Sequence, residues 1–420
     1  MLQSSLRRDR NRKQSWLKPW AEVDWLLLLL PIGLTVFGGI VIRSILLDGE
    51  FAHYWWQHLV LGGFGAIVAL CLARYQYENL IQSYWIVYAI ANVSLLIVIF
   101  LGTSANGAQS WINLFGFHVQ PSEFAKVALV ITLAGFLEKQ TAGSLPVLLK
   151  ALAVVALPWG LVLLQPDLGT SLVFGAIVLG MLYWANANPG WLILLISPLV
   201  SAILFNTIQT AWIAWVVAMG VIAWMTLPWR WLSLVLAAGV NAVCGKLGEV
   251  GWNLLAPYQK DRITLFLHPQ QDPLGGGYHL IQSRIAIGSG QLLGRGLNNG
   301  TQTQGGFIPE QHTDFIFSAI GEEWGFVGSV LVILAFWLIC LRLVIIAQTS
   351  KDNFGSLLAI GVLSMLVFQS FVNISMTIGL APITGIPLPW LSYGRSSLLA
   401  SFIAIGLVES VANHRERSKF

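Results

Sequence analysis

Apolar runs long enough to cross a bilayer, separated by short polar connectors, recur along almost the whole chain. A membrane-spanning helix needs about 20 mostly apolar residues. By that criterion spans are predicted near residues 24–45, 57–73, 83–101, 123–138, 147–165, 170–186, 191–206, 210–226, 229–247, 315–345, 355–379 and 396–412. These amount to about twelve transmembrane helices. The run from Asp314 to Ala347 is too long for one straight span, and its first part, FIFSAIGEEWGFVG, carries two glutamates. That part is expected to lie at the interface or to re-enter the membrane. The fold class predicted is all-α, a polytopic helical membrane protein. Residues 1–23 form a basic tail, 24–412 the membrane domain and 413–420 a second short tail.

Composition agrees with lipid as the solvent. Of 420 residues, 56% are hydrophobic and 10% charged, with mean hydropathy +0.72, whereas a soluble domain carries about 25% charged residues. The net charge of +4 comes from basic residues in short connectors and tails, a pattern that reports membrane orientation and gives no reason to expect a nucleic-acid partner. An even number of spans puts the basic N-terminus, Arg74, Lys139, Lys150, Arg230, Arg342, Lys351 and the tail NHRERSKF on the cytoplasmic side. The basic start leads into an apolar stretch too long for a cleavable signal, so the first helix is expected to insert the chain. Cys71, Cys244 and Cys340 show no CxxC or Cys/His spacing and read as core residues.

With that register, polar chemistry gathers on the outer side, in segments 106–126, 164–170, 252–313 and 381–397. The long third segment is punctuated by Tyr258, Phe266, Tyr278 and Phe307, and is expected to pack as a lid. Its glycines do not form GxGxxG and lie in no strand–helix context, so tight turns explain them better than a nucleotide. Chemistry outside the membrane then calls for a donor carrying its own leaving group, such as a lipid-linked diphosphate. Asp272, in QDPLGGGY, is a turn former or a general base. Burial at the membrane border would favour its neutral form and suit proton removal. Arg262, Arg284, Arg295 and Arg395 are interface anchors or, with Lys126, a diphosphate clamp. Glu123 suits a helix first turn and is spaced to pair with Lys126. Asp167 reads as a helix cap. His312, Thr313 and Asp314 offer no HExxH helix or nucleophile pair to support a metal site.

The quoted residues resemble the SEDS family (shape, elongation, division and sporulation), on its RodA branch. The resemblance rests on GAQSWIN, QPSEFAK ending at Lys126, QPDLGTS at 165–171, the block YQKDRITLFLHPQQDPLGGGYHLIQSRIAIGSGQLLGRG at 258–296, GTQTQGGFIPEQHTDFIF at 300–317 and IPLPWLSYG at 386–394. It implies a peptidoglycan glycosyltransferase that polymerises lipid II on the outer face of the cytoplasmic membrane, releases undecaprenyl diphosphate, and works with a class B penicillin-binding protein. The family's essential aspartate matches Asp272. Lys126, Arg262, Arg284, Glu123, Gln282, Ser283, His312 and Arg395 are the implied substrate-binding candidates, and a divalent cation such as Mg2+ could share the charge. Ser110 stands where the family commonly has arginine, and Arg395 where it has glycine. Between QPDLGT and YQKDR the usual ten-span plan has two spans, whereas this chain has room for four. A hairpin near 190–227 is read as inserted. A lipid II flippase, or a non-catalytic scaffold of a wall-building complex, remains open as an alternative.

Overall fold

The computed structural model describes residues 23–46, 51–105, 108–114, 117–254, 260, 265–266, 269–273, 275 and 277–414. The apolar runs fold as α1 (Trp25–Ile45), α2 (Tyr54–Arg74), α3 (Asn79–Leu101), α4 (Pro121–Leu137), α5 (Leu145–Leu164), α6 (Leu168–Trp184), α7 (Pro189–Thr207), α8 (Gln209–Thr226) and α9 (Arg230–Leu254). A 3-10 turn at Pro269–Gln271 precedes α10 (Tyr278–Ser289), α11 (Thr301–Gln304) and α12 (Ile316–Glu323). Then come α13 (Gly325–Thr349), α14 (Asn353–Ile378) and α15 (Arg395–Asn413). Among the described residues, ten helices are long and apolar enough to cross a membrane. The predicted spans at 123–138 and 170–186 correspond to α4 and α6, which are shorter at 17 residues each. The chain is a polytopic helical membrane protein.

Polar contacts sort the helix ends into two sets. At one end Asp24, capping α1, pairs with Arg342 of α13, and its backbone N–H donates to Glu409 of α15 at 3.1 Å. Tyr77, before α3, donates to Asp352, the N-cap of α14, at 2.9 Å. Asn353 donates to the carbonyl of Leu137, which ends α4, at 3.2 Å. Trp191 at the start of α7 donates to Thr226 at the end of α8, at 3.3 Å. Arg74, Lys139, Lys150, Arg230, Arg342 and Lys351 lie in the connectors and helix ends of this set. The opposite set carries the long polar segments.

Two features depart from a simple run of spans. Three short strands form an antiparallel meander, β1 (Thr103–Ala105), β2 (Ala108–Leu114) and β3 (Phe117–Val119), with Thr103 opposite Trp111 and Ile112 opposite Val119. Strand pairing satisfies backbone groups that leave the helix at Gly102. The long run after Asp314 is cut at Gly325, whose φ of +66° ends α12 and redirects the chain into α13. Glu322 and Glu323, at the end of α12, are buried. The Glu322 carboxylate accepts the N–H groups of Gln302 at 2.9 Å and Thr303 at 2.8 Å, capping α11. The Glu322 and Glu323 carbonyls accept from Arg295 at 2.9 Å and Gly296 at 3.0 Å. Glu323 also receives the Ser44 hydroxyl from the end of α1. The end of the lid is thus hydrogen-bonded to α12.

Helices α7, α8 and α9 pack chiefly on one another. Ser201 donates to the Asn241 carbonyl at 2.6 Å, and Trp212 to the Ser201 hydroxyl at 3.0 Å. Such interhelical bonds take the place of the hydrophobic drive that lipid does not supply. The segment read as inserted, 190–227, comprises most of α7 and α8, and α9 completes their packing.

The α12 break makes a stability prediction. A Cβ at Gly294 (φ +82°) would lie 2.2 Å from the Glu323 carbonyl, and one at Gly325 would lie 2.2 Å from the Gly294 nitrogen. Gly294→Ala and Gly325→Ala should each lose roughly 1–3 kcal/mol of stability, read as a lowered melting temperature in detergent. Gly160→Ala, where a Cβ meets nothing within 4 Å, should not lower it.

Candidate active site

All four outer segments contribute to one cavity of about 300 Å³. The first supplies Ser110 and Trp111, the second Asp167, the third Glu310 and Thr313, and the last Tyr393 and Ser396, with Asp314 between. The loops reach it because buried side chains stitch them together. Asn373, inside α14, donates to the carbonyls of Asp314 at 2.9 Å and Ile386 at 2.8 Å. Ser392 donates to the Thr313 carbonyl at 2.6 Å, and the Tyr393 N–H to the His312 carbonyl at 2.8 Å. Asp167 caps α6 by accepting the Thr170 N–H at 3.0 Å. Its second oxygen accepts from Thr170 at 2.8 Å, and from Ser122 and Gln120, both at 3.1 Å. One carboxylate therefore joins the starts of α4 and α6.

The sequence candidates divide into distinct environments. Glu123 and Lys126 lie buried in the first turns of α4, 4% and 2% exposed, with Lys126 Nζ 2.7 Å from Glu123 Oε1. Asp272 is exposed and accepts the Gly275 N–H at 3.0 Å in a turn just before α10. The turn-forming role is therefore realised, while the burial assumed for this carboxylate is not. Arg284, on the exposed face of α10, lays its stem against Gly379 at the end of α14. Gln282 is half-buried beside it. Ser283 is fully buried, with its hydroxyl 2.6 Å from both the Ser318 hydroxyl and the Thr377 carbonyl, so it fastens α10 to α12 and α14. Arg295 donates to the Thr301 hydroxyl at 3.1 Å. Arg262 lies outside the described residues.

His312 and Arg395 sit beside the cavity. The imidazole is surrounded by Tyr54, Tyr393 and Phe51 at ring-centroid distances of 5.5, 6.1 and 6.4 Å. Burial lowers the His312 pKa below its ordinary 6.5, with the Glu310 charge opposing. Arg395 begins α15 but turns back, donating to Tyr393 Oη at 3.1 Å and Gln57 Oε1 at 3.2 Å. That bend carries the guanidinium away from a helix N-terminus, where positive charge is unfavourable. Burial raises the Tyr393 phenol pKa, with Arg395 opposing. Sequence reasoning gave no functional weight to Glu310, Asn373 or Tyr393. Their signal was position inside EQHTDF, the last third of α14 and LSYG, without a residue type that marks chemistry. Among the described residues, no three His, Cys, Asp or Glu side chains are grouped to hold a metal ion.

A family profile described as cell cycle protein, FtsW/RodA/SpoVE, matches residues 22–211 and 189–417. The chain belongs to this family. Over 423 aligned residues it is 37% identical to peptidoglycan glycosyltransferase RodA of Treponema pallidum, covering 93% of this chain and 98% of that protein. It is 33% identical to peptidoglycan glycosyltransferase MrdB of Escherichia coli K12, covering 97% of each. In structure it is similar to a chain of a peptidoglycan synthase complex that coordinates polymerization and crosslinking, with TM-score 0.71 and 28% identity, over 94% of this chain and 99% of that one. The resemblance read from the motifs, SEDS with a RodA-like branch, agrees with these relatives.

The Glu123–Lys126 pair can be tested directly. Removing one partner strands a buried charge, at a cost of about 3–5 kcal/mol. Glu123→Gln and Lys126→Met should each lower the melting temperature more than the double substitution does. For His312 the sign follows from its lowered pKa. The unfolded chain takes up the proton first, so stability present at neutral pH is lost as pH falls through about 6.5 and below. His312→Gln should flatten the dependence of melting temperature on pH between about 7.5 and 5.5.

Proposed function

We infer that this chain, a peptidoglycan glycosyltransferase of the RodA-like branch, extends glycan strands from lipid II during cell elongation, with Asp272 as the general base. The observation that carries this assignment is an exposed carboxylate just before α10, on the face opposite the basic connectors. The side of the membrane follows from charge. Arg74, Lys139, Lys150, Arg230, Arg342 and Lys351 share one set of helix ends, and such residues are retained on the cytoplasmic side. Asp272 and the cavity then face outward, and both termini face the cytoplasm.

The Asp272 carboxylate takes the proton of the acceptor GlcNAc 4-hydroxyl. The oxygen attacks the donor MurNAc anomeric carbon, the bond from that carbon to the diphosphate breaks, and undecaprenyl diphosphate leaves with the electron pair. The substrate supplies its own activated leaving group, so no nucleotide is consumed. Fixed cations near the developing charge lower the barrier without reorganising. Arg284, with its exposed head, and Arg262 are the groups assigned to the diphosphate. Lys126, held by Glu123, contributes its field from within the protein. Arg395 stands in for the arginine missing at Ser110; Ser110 and Ser396 line the same cavity. His312 offers a neutral hydrogen-bonding ring, Gln282 a polar contact on α10, and Ser283 holds that helix in place. A class B penicillin-binding protein is the partner assigned to crosslink the product, in keeping with the synthase complex that the fold resembles.

Asp272→Asn should reduce glycan formation from lipid II in liposomes by roughly 10²–10⁴-fold, the contribution of a general base. Expression, melting temperature and association with the transpeptidase should be retained. Polymerisation at the wild-type rate would reject the base assignment.

A further inference from the structure

The turn at 291–293, between α10 and α11, belongs to none of the helices long and apolar enough to cross a membrane. Its two leucines are nevertheless on the outside, Leu292 62% and Leu293 75% exposed. The backbone of the turn caps α13. The N–H groups of Phe326 and Val327, in the first turn of that helix, donate to the carbonyls of Gln291 at 2.9 Å and Leu292 at 3.1 Å. No side chain caps this helix, so the turn satisfies donors that a helix start otherwise leaves orphaned. The Gly294 N–H donates to the Gly290 carbonyl at 2.8 Å, and positive φ at Gln291 (+48°) and Gly294 (+82°) closes the turn.

Two helices give its height. Asp24 and Arg342 pair at the basic end of the fold and mark that border of the hydrocarbon layer. Phe326 lies sixteen residues along α13 from Arg342, roughly 24 Å at 1.5 Å per residue. Ser44 lies twenty residues along α1 from Asp24, roughly 30 Å by the same rise, and its hydroxyl accepts the Asn298 N–H at 3.0 Å. The hydrocarbon layer is about 30 Å thick. Asn298 therefore sits at its outer border, while the leucine turn, bonded to Phe326 and Val327, sits inside it. Helix tilt would shorten both heights and bury the turn further.

The chemistry of the turn suits that depth. Irregular backbone enters a hydrocarbon layer only where its polar groups are paired within the protein, and this backbone is paired to α13. The exposed side chains continue a surface that already faces lipid, since Phe326, Leu331 and Trp337 are 63%, 61% and 55% exposed along α13. Helices that pack together in membranes favour small residues and polar ties at their contact. Bulky leucine and phenylalanine side chains over a paired backbone fit acyl chains better than a partner helix. Arg295, two residues past Leu293, is exposed, and its guanidinium donates to the Ser289 carbonyl at 3.3 Å and the Thr301 hydroxyl at 3.1 Å. Long polar side chains such as this keep their heads at the border while their stems lie against apolar surface.

We propose that the 291–293 turn inserts Leu292 and Leu293 into the outer leaflet of the bilayer and anchors the lid to the membrane. The anchor lies two residues beyond Ser289, the end of α10, and the Asp272 turn precedes the start of the same helix. The helix bearing Arg284 is thereby fixed to the lipid surface at one end. The proposal rests on the sidedness of the helix ends and is independent of Asp272 as the base.

The test is a depth measurement on the full-length protein with Cys71, Cys244 and Cys340 replaced by alanine. A fluorophore is attached to Leu293→Cys, to Phe326→Cys as the lipid reference and to Gln270→Cys as the water reference. The protein is held in dilute liposomes of phosphatidylethanolamine and phosphatidylglycerol. Labels at 293 and 326 should lose severalfold more emission to a nitroxide near the top of the acyl chain than to aqueous iodide, with the reverse at 270. Asp272→Asn should leave this pattern unchanged, so a failed base assignment would not be mistaken for a failed anchor. A Leu292→Asp, Leu293→Asp double variant should speed amide hydrogen exchange along α10 while α4 stays as in wild type. A photo-crosslinking amino acid at Leu293 in native membranes should yield lipid adducts. Iodide quenching at 293 equal to that at 270, adducts chiefly with another protein or a second copy, or α10 exchange unchanged in the double variant would overturn the proposal.

Discussion

A hydrocarbon solvent makes no hydrogen bonds, so each polar group drawn into this fold must find its partner within the chain or in another protein. The outer half of the structure depends on that constraint. Glu322 takes up two backbone N–H groups of α11, Asp167 joins the starts of α4 and α6, and Asn373 holds two loops from inside α14. Each of these side chains bonds to segments distant in sequence. Removing any one would leave several donors or acceptors stranded together, which is why the loops are held in place despite their length.

This stitching gives the candidate site its division of labour. The cavity walls are held by buried side chains, while Asp272 sits in an exposed turn and is not among the residues that line the cavity. A base that must meet successive acceptor ends benefits from access, whereas charges that steady a leaving diphosphate benefit from a fixed, poorly solvated setting. Lys126, buried against Glu123, has such a fixed setting. Arg395 is tied to Tyr393 and Gln57, so its charge is positioned by α2 as much as by the helix it begins.

Within the unit formed by α7, α8 and α9, the ties run between Ser197, Ser201, Trp212 and Asn241.

Much of this architecture is legible in the residue order because a bilayer imposes a simple filter: about 20 apolar residues per crossing and basic residues retained on one side. The positions of the spans, the sorting of their ends and the polar outer segments follow from that filter, and the motifs around Asp272 and IPLPWLSYG carry the family. Hydropathy averages over a window, however, and does not register single backbone dihedrals or pairings. The meander at 103–119 and the break at Gly325 therefore emerge only in three dimensions. Neighbours in the chain also part company: Gln282 is half-buried, Ser283 is a sealed helix tie and Arg284 faces outward, although all three sit in one motif. Residue types and their spacing were enough for the crossings and the chemistry on offer. Which carboxylate is a strut and which is exposed depended on contacts between segments far apart in the chain, because a hydrogen bond is set by ångströms in space.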